Sequence, residues 1–391
     1  VKVIVAGAGL GGLTLALALG RAGIETIVVE QAAAFGEAGA GVQLSPNATR
    51  ALISLGLGDQ VRAIGFAPEA AEVRDAKSGR LLLRNQLGRA AEARWGAPYL
   101  QVHRADLHAL LLDKVRRIGT ASLRLGARIA TSKDGGVRLE SGESLAGDAV
   151  VGCDGVRSAV RRSLWGDQPA RFTGQVAWRG TVPARQLPAG LAAPLARVWT
   201  GQNRHFVCYP VRRGELINFV AVTEEPSWRT ESWSERGDKG ALAKAFAAWP
   251  EPARALIEAS EEVWRWALYD RAPTPQWSKG RVTLLGDAAH PMPPFLAQGA
   301  AMAIEDAVVL ANGLLIDQPV ESALLRYEQA RSARTAKVQA WSRRNAALFH
   351  LPGPAAMAVF GAASVLAAAK SGGGAERFDW LYGYDAAAAP V

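Results

Sequence analysis

The sequence predicts an α/β fold: a Rossmann-like nucleotide-binding domain on a mostly parallel sheet, an inserted β-rich domain, and C-terminal helices. Three observations predict it. A glycine-rich turn directly follows the first apolar run, Val1 to Ala6. Two later segments, Ala149 to Leu164 and Arg281 to Leu315, repeat the order of buried strand, glycine-bearing turn and helix. Between those two the pattern changes to β-prone runs separated by turns, which reads as antiparallel sheet.

The first unit is the most informative. Gly7-Ala8-Gly9-Leu10-Gly11-Gly12 leads into a helix from Leu13 to Arg21, and a strand from Thr26 to Glu30 follows. That strand ends in an acid 18 residues past Gly12, the context a dinucleotide fingerprint requires. Gly7 permits the tight turn, Gly9 lets the backbone approach a pyrophosphate, and Gly12 lets the helix pack on the strand. Gly11 belongs to the same turn. The helix N-terminus offers free N–H groups and a positive dipole end to phosphates. Glu30, with Gln31 beside it, can accept hydrogen bonds from a ribose diol. No second such fingerprint follows.

The other elements extend this plan. Val3-Ile4-Val5, Ala149-Val150-Val151 and Val282-Thr283-Leu284-Leu285 are continuous apolar runs, as buried parallel strands are, and should share one sheet. Phe172 to Val182, Arg204 to Val211 and Glu215 to Thr223 read as antiparallel strands. Nine of the twelve tryptophans fall between 165 and 280, which suits a sheet that covers a ligand or simply fills its own core. Ser322 to His350 and Ala355 to Ala369 read as helices, Ser371 to Gly374 as a flexible joint, and Asp379 to Asp385 as an aromatic segment docked on the body. Residues 1–75, 97–165 and 280–320 are assigned to the nucleotide domain. Residues 76–96 and 166–279 form the β-rich substrate domain, and 321–391 the helical segment.

Composition narrows the function classes. An apolar fraction of 49% and a charged fraction of 21% indicate a packed globular chain. There is no apolar run long enough to span a membrane and no signal-peptide pattern at Val1, so the cytoplasm is the expected compartment. The net charge of +9 is scattered, with no basic run, and nucleic acid is not an expected partner. Cys153 and Cys208 form no disulfide framework, and five unclustered histidines give no metal site. A monomer or a homodimer is expected.

The later two units carry a family resemblance. Val151-Gly152-Cys153-Asp154-Gly155-Val156-Arg157-Ser158 resembles the DG motif of the class A, single-component flavoprotein monooxygenases. Leu285-Gly286-Asp287-Ala288-Ala289-His290-Pro291 resembles their GD motif. The run from Pro293 to Ala307 is similar to the subgroup of salicylate hydroxylase, 3-hydroxybenzoate 6-hydroxylase and 6-hydroxynicotinate 3-monooxygenase. Gly39 to Leu44, Val102 to Leu107 and the closing Trp380 to Asp385 are similar to the same subgroup.

The resemblance implies FAD as cofactor, NADH or NADPH as hydride donor, and O2 and a small phenolic aromatic acid as substrates. In such enzymes O2 adds at flavin C4a and the resulting hydroperoxide delivers the hydroxyl. By resemblance, Arg104 reaches the FAD from its helix and Gln43 lies near the flavin. Asp287, after Gly286, binds the ribityl chain. Asp154 lies near the pyrophosphate and NAD(P)H. The helix beginning at Gln298, Gly299 and Ala300 aims N–H groups at the flavin N1–C2 edge, where its positive end stabilises reduced flavin.

Hydroxylation of a phenol also needs a base in a dry cavity. His103 and His108 belong to the helix carrying Arg104, His290 to the flavin loop and His350 to the late helix. His205 stands on a β-strand, and alternation places 205, 207 and 209 on one face. His205 and Tyr209 therefore share a face, and the subgroup has a His and a Tyr at this spacing. His205 is the candidate base, with Tyr209 as its companion in substrate binding; a satisfied core histidine is the alternative. Gln43 and Phe295 stand where the hydroxynicotinate enzyme has histidines, which favours a benzenoid substrate. Pro294 and Phe295 are the expected apolar wall. An oxidase or reductase on the same scaffold, a non-catalytic dinucleotide-fold binding protein, and a halogenase suggested by Trp264-Arg265-Trp266 stay as rivals, the last without the rest of its motif.

Overall fold

The structure is a computed structural model and describes residues 1–35, 40–228, 235–316, 319–368 and 374–391. Its first sheet is five-stranded and wholly parallel, in the order Val282–Leu284, Ala149–Gly152, Lys2–Ala6, Glu25–Val29, Ala121–Arg124. The three apolar runs are thus neighbours, as their composition required. Val3, Ile4, Val5 and Val150 have no exposed surface, because helices cover both faces. The first helix, Leu10–Arg21, begins three residues earlier than the apolar periodicity suggested, inside the glycine turn itself. The following strand ends at Val29, which leaves Glu30 just beyond it.

The second sheet has eight strands. Its order is Glu235–Arg236, Trp264–Asp270, Arg171–Pro183, Leu216–Glu224, Arg204–Val211, Leu195–Gly201, Ala70–Asp75, Leu81–Gln86. All pairs are antiparallel except Leu195–Gly201 with Ala70–Asp75. Ala70–Asp75 therefore belongs to this sheet, and the boundary expected after residue 75 falls before residue 70. The reason is pairing: its hairpin partner Leu81–Gln86 and its parallel neighbour Leu195–Gly201, far along the chain, hold it there, and neither is visible as a local signal.

Alternation sorts the second sheet. Phe206 and Cys208 point to one face and pack with Phe219 of the neighbouring strand and with Leu242, Phe246 and Leu256 of a layer formed by two helices, Lys239–Ala245 and Glu251–Ala259. His205, Val207 and Tyr209 point to the other face. That face is closed by the 30-residue helix Val320–Phe349 and by the helix Gly353–Ala368. The first spans about 45 Å at 1.5 Å per residue, enough to run from the nucleotide domain to the second sheet. No described helix is long and apolar enough to cross a membrane.

The aromatic C-terminal segment docks as expected. Asp379 accepts from Arg94 and from the Trp95 indole, and Tyr382 meets Trp95 edge-on at 5.0 Å. Arg334 donates to the carbonyls of Trp380 and Leu381. Of the expected joint at 371–374, residues 371–373 lie outside the described residues.

Candidate functional site

One cavity of about 780 Å³ runs between the two sheets. At one end it is lined by Gly9, Leu10 and Gly11, at the other by His205, Tyr209 and Phe295.

At the glycine end, Gly7 has φ +101° and its backbone approaches Cys153, so a Cβ would stand 2.6 Å from that carbonyl oxygen. A Cβ on Gly12 would stand 2.0 Å from the Gly7 carbonyl oxygen. Gly9 differs: a Cβ there meets no protein atom within 4 Å, so the space beside it is open for a ligand. Glu30 accepts from the Ala8 and Ala32 amides, each at 2.9 Å, which holds the acid at the mouth of the turn. Gln31 is exposed beside it.

In the middle, Gly286 and Asp287 form a tight turn after the strand Val282–Leu284. The Asp287 carboxyl lies deep between the elements yet is accessible, because it opens into the cavity. Burial raises its pKa, while His290 and Arg104 pull it down. Arg104, the first residue of the helix Arg104–Arg117, lines the same stretch, and burial lowers its pKa against the opposing pull of Asp287. Gly299 and Ala300, at the start of the 16-residue helix Gly299–Leu314, also line the cavity. This turn is anchored from below. The Asp306 carboxylate accepts from the Gly286 amide at 3.1 Å and from the Arg331 guanidinium at 2.7 Å, and stands 2.6 Å from His290 Nε2. His290 is thus structural.

Six expected cofactor residues do not line the cavity: Gly7 and Gly12 pack inside the turn, Glu30 and Gln31 lie beside it, and Asp154 and Gln298 are held elsewhere. Asp154 does not line the cavity. Its Oδ2 accepts from the amides of Ala159 and Val160 and so caps the helix Ala159–Trp165, while Cys153, Gly155 and Val156 line the cavity in its place. Gln298 is 2% exposed, donates to Ser45 Oγ at 2.9 Å and accepts from Asn47 at 3.2 Å. Its side chain ties loops together, and only the helix start behind it reaches the cavity.

At the far end, His205 and Tyr209 do share a face with Val207, and Val220 and Val222 of the next strand flank them. Pro294 and Phe295 close the opposite side. Gln43 Oε1 accepts from the Tyr99 hydroxyl at 2.5 Å, and burial raises the Tyr209 pKa against a hydrogen bond with Gln43. His205 is 2% exposed. Burial first, and then the neighbouring His350, hold its pKa well below the usual histidine value. A neutral imidazole with a free lone pair is the form that can accept a phenolic proton.

Sequence reading missed several lining residues. His350 Nε2 stands 2.8 Å from His205 Nδ1, and Tyr99, Asn345, Phe349 and Tyr382 line the cavity. The last three come from the C-terminal helices and segment, whose apolar periodicity says that they pack but not on what. Among the described residues no cluster of His, Cys, Asp and Glu could hold a metal.

Comparison with known proteins agrees with this geometry. Residues 1–342 match the model of a family described as the FAD binding domain. The chain is 42% identical to a 3-amino-4-hydroxybenzoate 2-monooxygenase of Streptomyces platensis, over 99% of this chain and 96% of that one. It is 38% identical to a 3-hydroxybenzoate 6-hydroxylase of Polaromonas naphthalenivorans, over 98% and 96%. Among solved structures, a salicylate hydroxylase substrate complex superposes with a TM-score of 0.81 at 26% identity, covering 100% of this chain and 98% of that one. By its glycine turn, its cavity and these likenesses, the chain belongs to the FAD-binding family, in the branch of the class A flavoprotein aromatic hydroxylases.

Proposed function

We propose that this chain is a single-component monooxygenase that uses FAD, NADH or NADPH, and O2 to hydroxylate a small phenolic acid of the hydroxybenzoate type. The observation that carries the reading is the continuous cavity. It joins a dinucleotide turn with open space at Gly9 to a neutral, buried imidazole at His205.

Bound FAD would supply the redox and oxygen chemistry. The residues present fit it. Gly9 leaves room for the pyrophosphate, Gly11 lets the turn pack against Leu285 and Ala303, Glu30 and Gln31 would serve the adenosine end, and Asp287 with Arg104 would meet the linking chain. Gly299 and Ala300 would present helix N–H groups where negative charge develops. Gln43, with Tyr99, would fix the edge of the ring system.

The chain's own chemistry concerns the substrate. His205 Nε2 would take the phenolic proton and make the ring electron-rich. Tyr209, held neutral by burial, would donate to the substrate and orient it. Phe295, Val207 and Val222 would keep water out. A monomer or a homodimer is the assembly this reading takes. The cytoplasm, where NAD(P)H is at hand, is the compartment this reading calls for.

The test is an NAD(P)H oxidation screen with purified holoenzyme and product analysis. The panel holds 3-hydroxybenzoate, 3-amino-4-hydroxybenzoate, salicylate and 6-hydroxynicotinate. Substrate-stimulated oxidation with an oxygen atom from O2 in the product supports the reading. Oxidation with no such oxygen would make the protein a reductase or an oxidase.

A further inference from the structure

His205 is not an isolated base. Its Nδ1 lies 2.8 Å from His350 Nε2, and His350 Nδ1 lies 2.7 Å from Glu224 Oε1. His205 and His350 are 2% and 8% exposed, whereas the Glu224 side chain is 44% exposed. The three groups thus lead from the cavity to solvent. They come from two adjacent strands and from the end of the long helix.

The hydrogen-bond chemistry orders the protons. A carboxylate only accepts, so His350 Nδ1 carries the hydrogen and His350 Nε2 is a lone pair. His205 Nδ1 must then donate to it, which leaves His205 Nε2 as a lone pair. Gln175 Nε2, a donor 3.3 Å from His350 Nδ1, favours the opposite tautomer, but the carboxylate contact at 2.7 Å is the shorter and charge-assisted one and prevails. Among the described residues the other charge acting on His350 is Arg204, which disfavours its charged form.

We infer that Glu224 and His350 form a proton relay that sets the His205 tautomer and carries the substrate's phenolic proton to solvent. The inference rests on His205 being the base. As the phenolic O–H breaks, an N–H forms at His205 Nε2. The His205 Nδ1 proton passes to His350 Nε2, the His350 Nδ1 proton passes to Glu224, and Glu224 releases it to water. The reverse passage returns a proton to the ring oxygen after hydroxylation and resets both tautomers. Without the relay, the proton would stay on a buried imidazolium, which burial opposes. His350 and Glu224 are positioning residues, since neither needs to touch the substrate.

The experiment mixes oxidised holoenzyme, without NAD(P)H, with the hydroxybenzoate selected by the turnover screen, in weak buffer with a pH indicator. The wild type should release a proton on binding. Glu224→Gln keeps an accepting oxygen but no ionisable group, so binding should stay within about threefold while release slows about tenfold or more. His350→Gln should slow release similarly, with partial rescue by added imidazole. Wild-type release rates in Glu224→Gln would overturn the relay, even if His350→Gln failed to fold. Absence of release in His205→Ala together with normal release in Glu224→Gln would leave the base standing and remove the relay. Normal release in His205→Ala would remove the base reading itself.

Discussion

The Phe295 ring meets the His205 ring edge-on, with centroids 5.1 Å apart and planes at 73°. Phe295 comes from the loop after the Gly286–Asp287 turn, and His205 from the second sheet, so this contact joins the nucleotide domain to the substrate domain. It also sets what each residue is expected to do when changed.

His205→Ala should keep FAD and the fold, because the cofactor end of the cavity is built from other segments. Hydroxylation should fall by about 10²–10⁴-fold, the usual contribution of a general base. NAD(P)H oxidation should leak to H2O2. Steady-state assays with product and peroxide quantified check this; activity within about twofold of wild type across pH 6 to 9 would place the base elsewhere.

Phe295→Ala removes the wall against which His205 rests. Phe295 is 6% exposed and packs with Ala177, Val222 and Leu268. The loss should be near the low end for such truncations, about 3 kcal/mol, because one side of the ring already faces the cavity. Thermal or denaturant unfolding measures it. The peroxide fraction should also rise, as water reaches the reacting centre.

Gly9→Val and Gly12→Ala should fail differently. At Gly9 a Cβ meets no protein atom within 4 Å, so the variant should fold but stay colourless and release no FAD on denaturation. At Gly12 even one Cβ would collide with the Gly7 carbonyl, so the variant should lose the fold. Circular dichroism with flavin fluorescence separates the two; a yellow Gly9→Val protein would sink the assignment of the pyrophosphate site.

Burial lowers the folded-state pKa of both His205 and His350, so acid should destabilise the protein through them. The unfolded histidines protonate near pH 6.5, before the folded ones. Below that value the unfolded state binds more protons, and the stability present at neutral pH is lost as pH falls toward the folded pKa values. Glu224 opposes this at His350 and Arg204 reinforces it. Unfolding free energies between pH 7 and 5 should fall more steeply in the wild type than in a double His205→Phe, His350→Phe variant.

Arg331→Met should be strongly destabilising. Arg331, Glu305 and Asp306 have no exposed surface, and the arginine pairs with both acids at 2.7 Å. Removing it leaves buried carboxylates short of a partner, at a cost of about 3–5 kcal/mol. Because Asp306 also holds the Gly286 amide, FAD affinity should fall in parallel. Unfolding and FAD titration on the same preparation test both.

The sequence by itself determined what is encoded over short distances. The Gly7–Gly12 turn, its helix and the acid at Glu30 follow from local sterics and hydrogen bonding. The period of two on Arg204–Val211 was enough to put His205 and Tyr209 on one face and Cys208 on the other. Tertiary structure decided what depends on pairing between distant segments. Ala70–Asp75 joins the second sheet because the distant strand Leu195–Gly201 accepts it in register. Asp154 reads as a ligand residue in its motif, and the fold also turns its Oδ2 onto the Ala159 and Val160 amides of the next helix. His350 reads as one more helical residue, and only the packing of a 30-residue helix across the second sheet brings it to His205. A side chain's neighbours along the chain are set by covalent geometry, but its neighbours across the cavity are set by how whole layers pack.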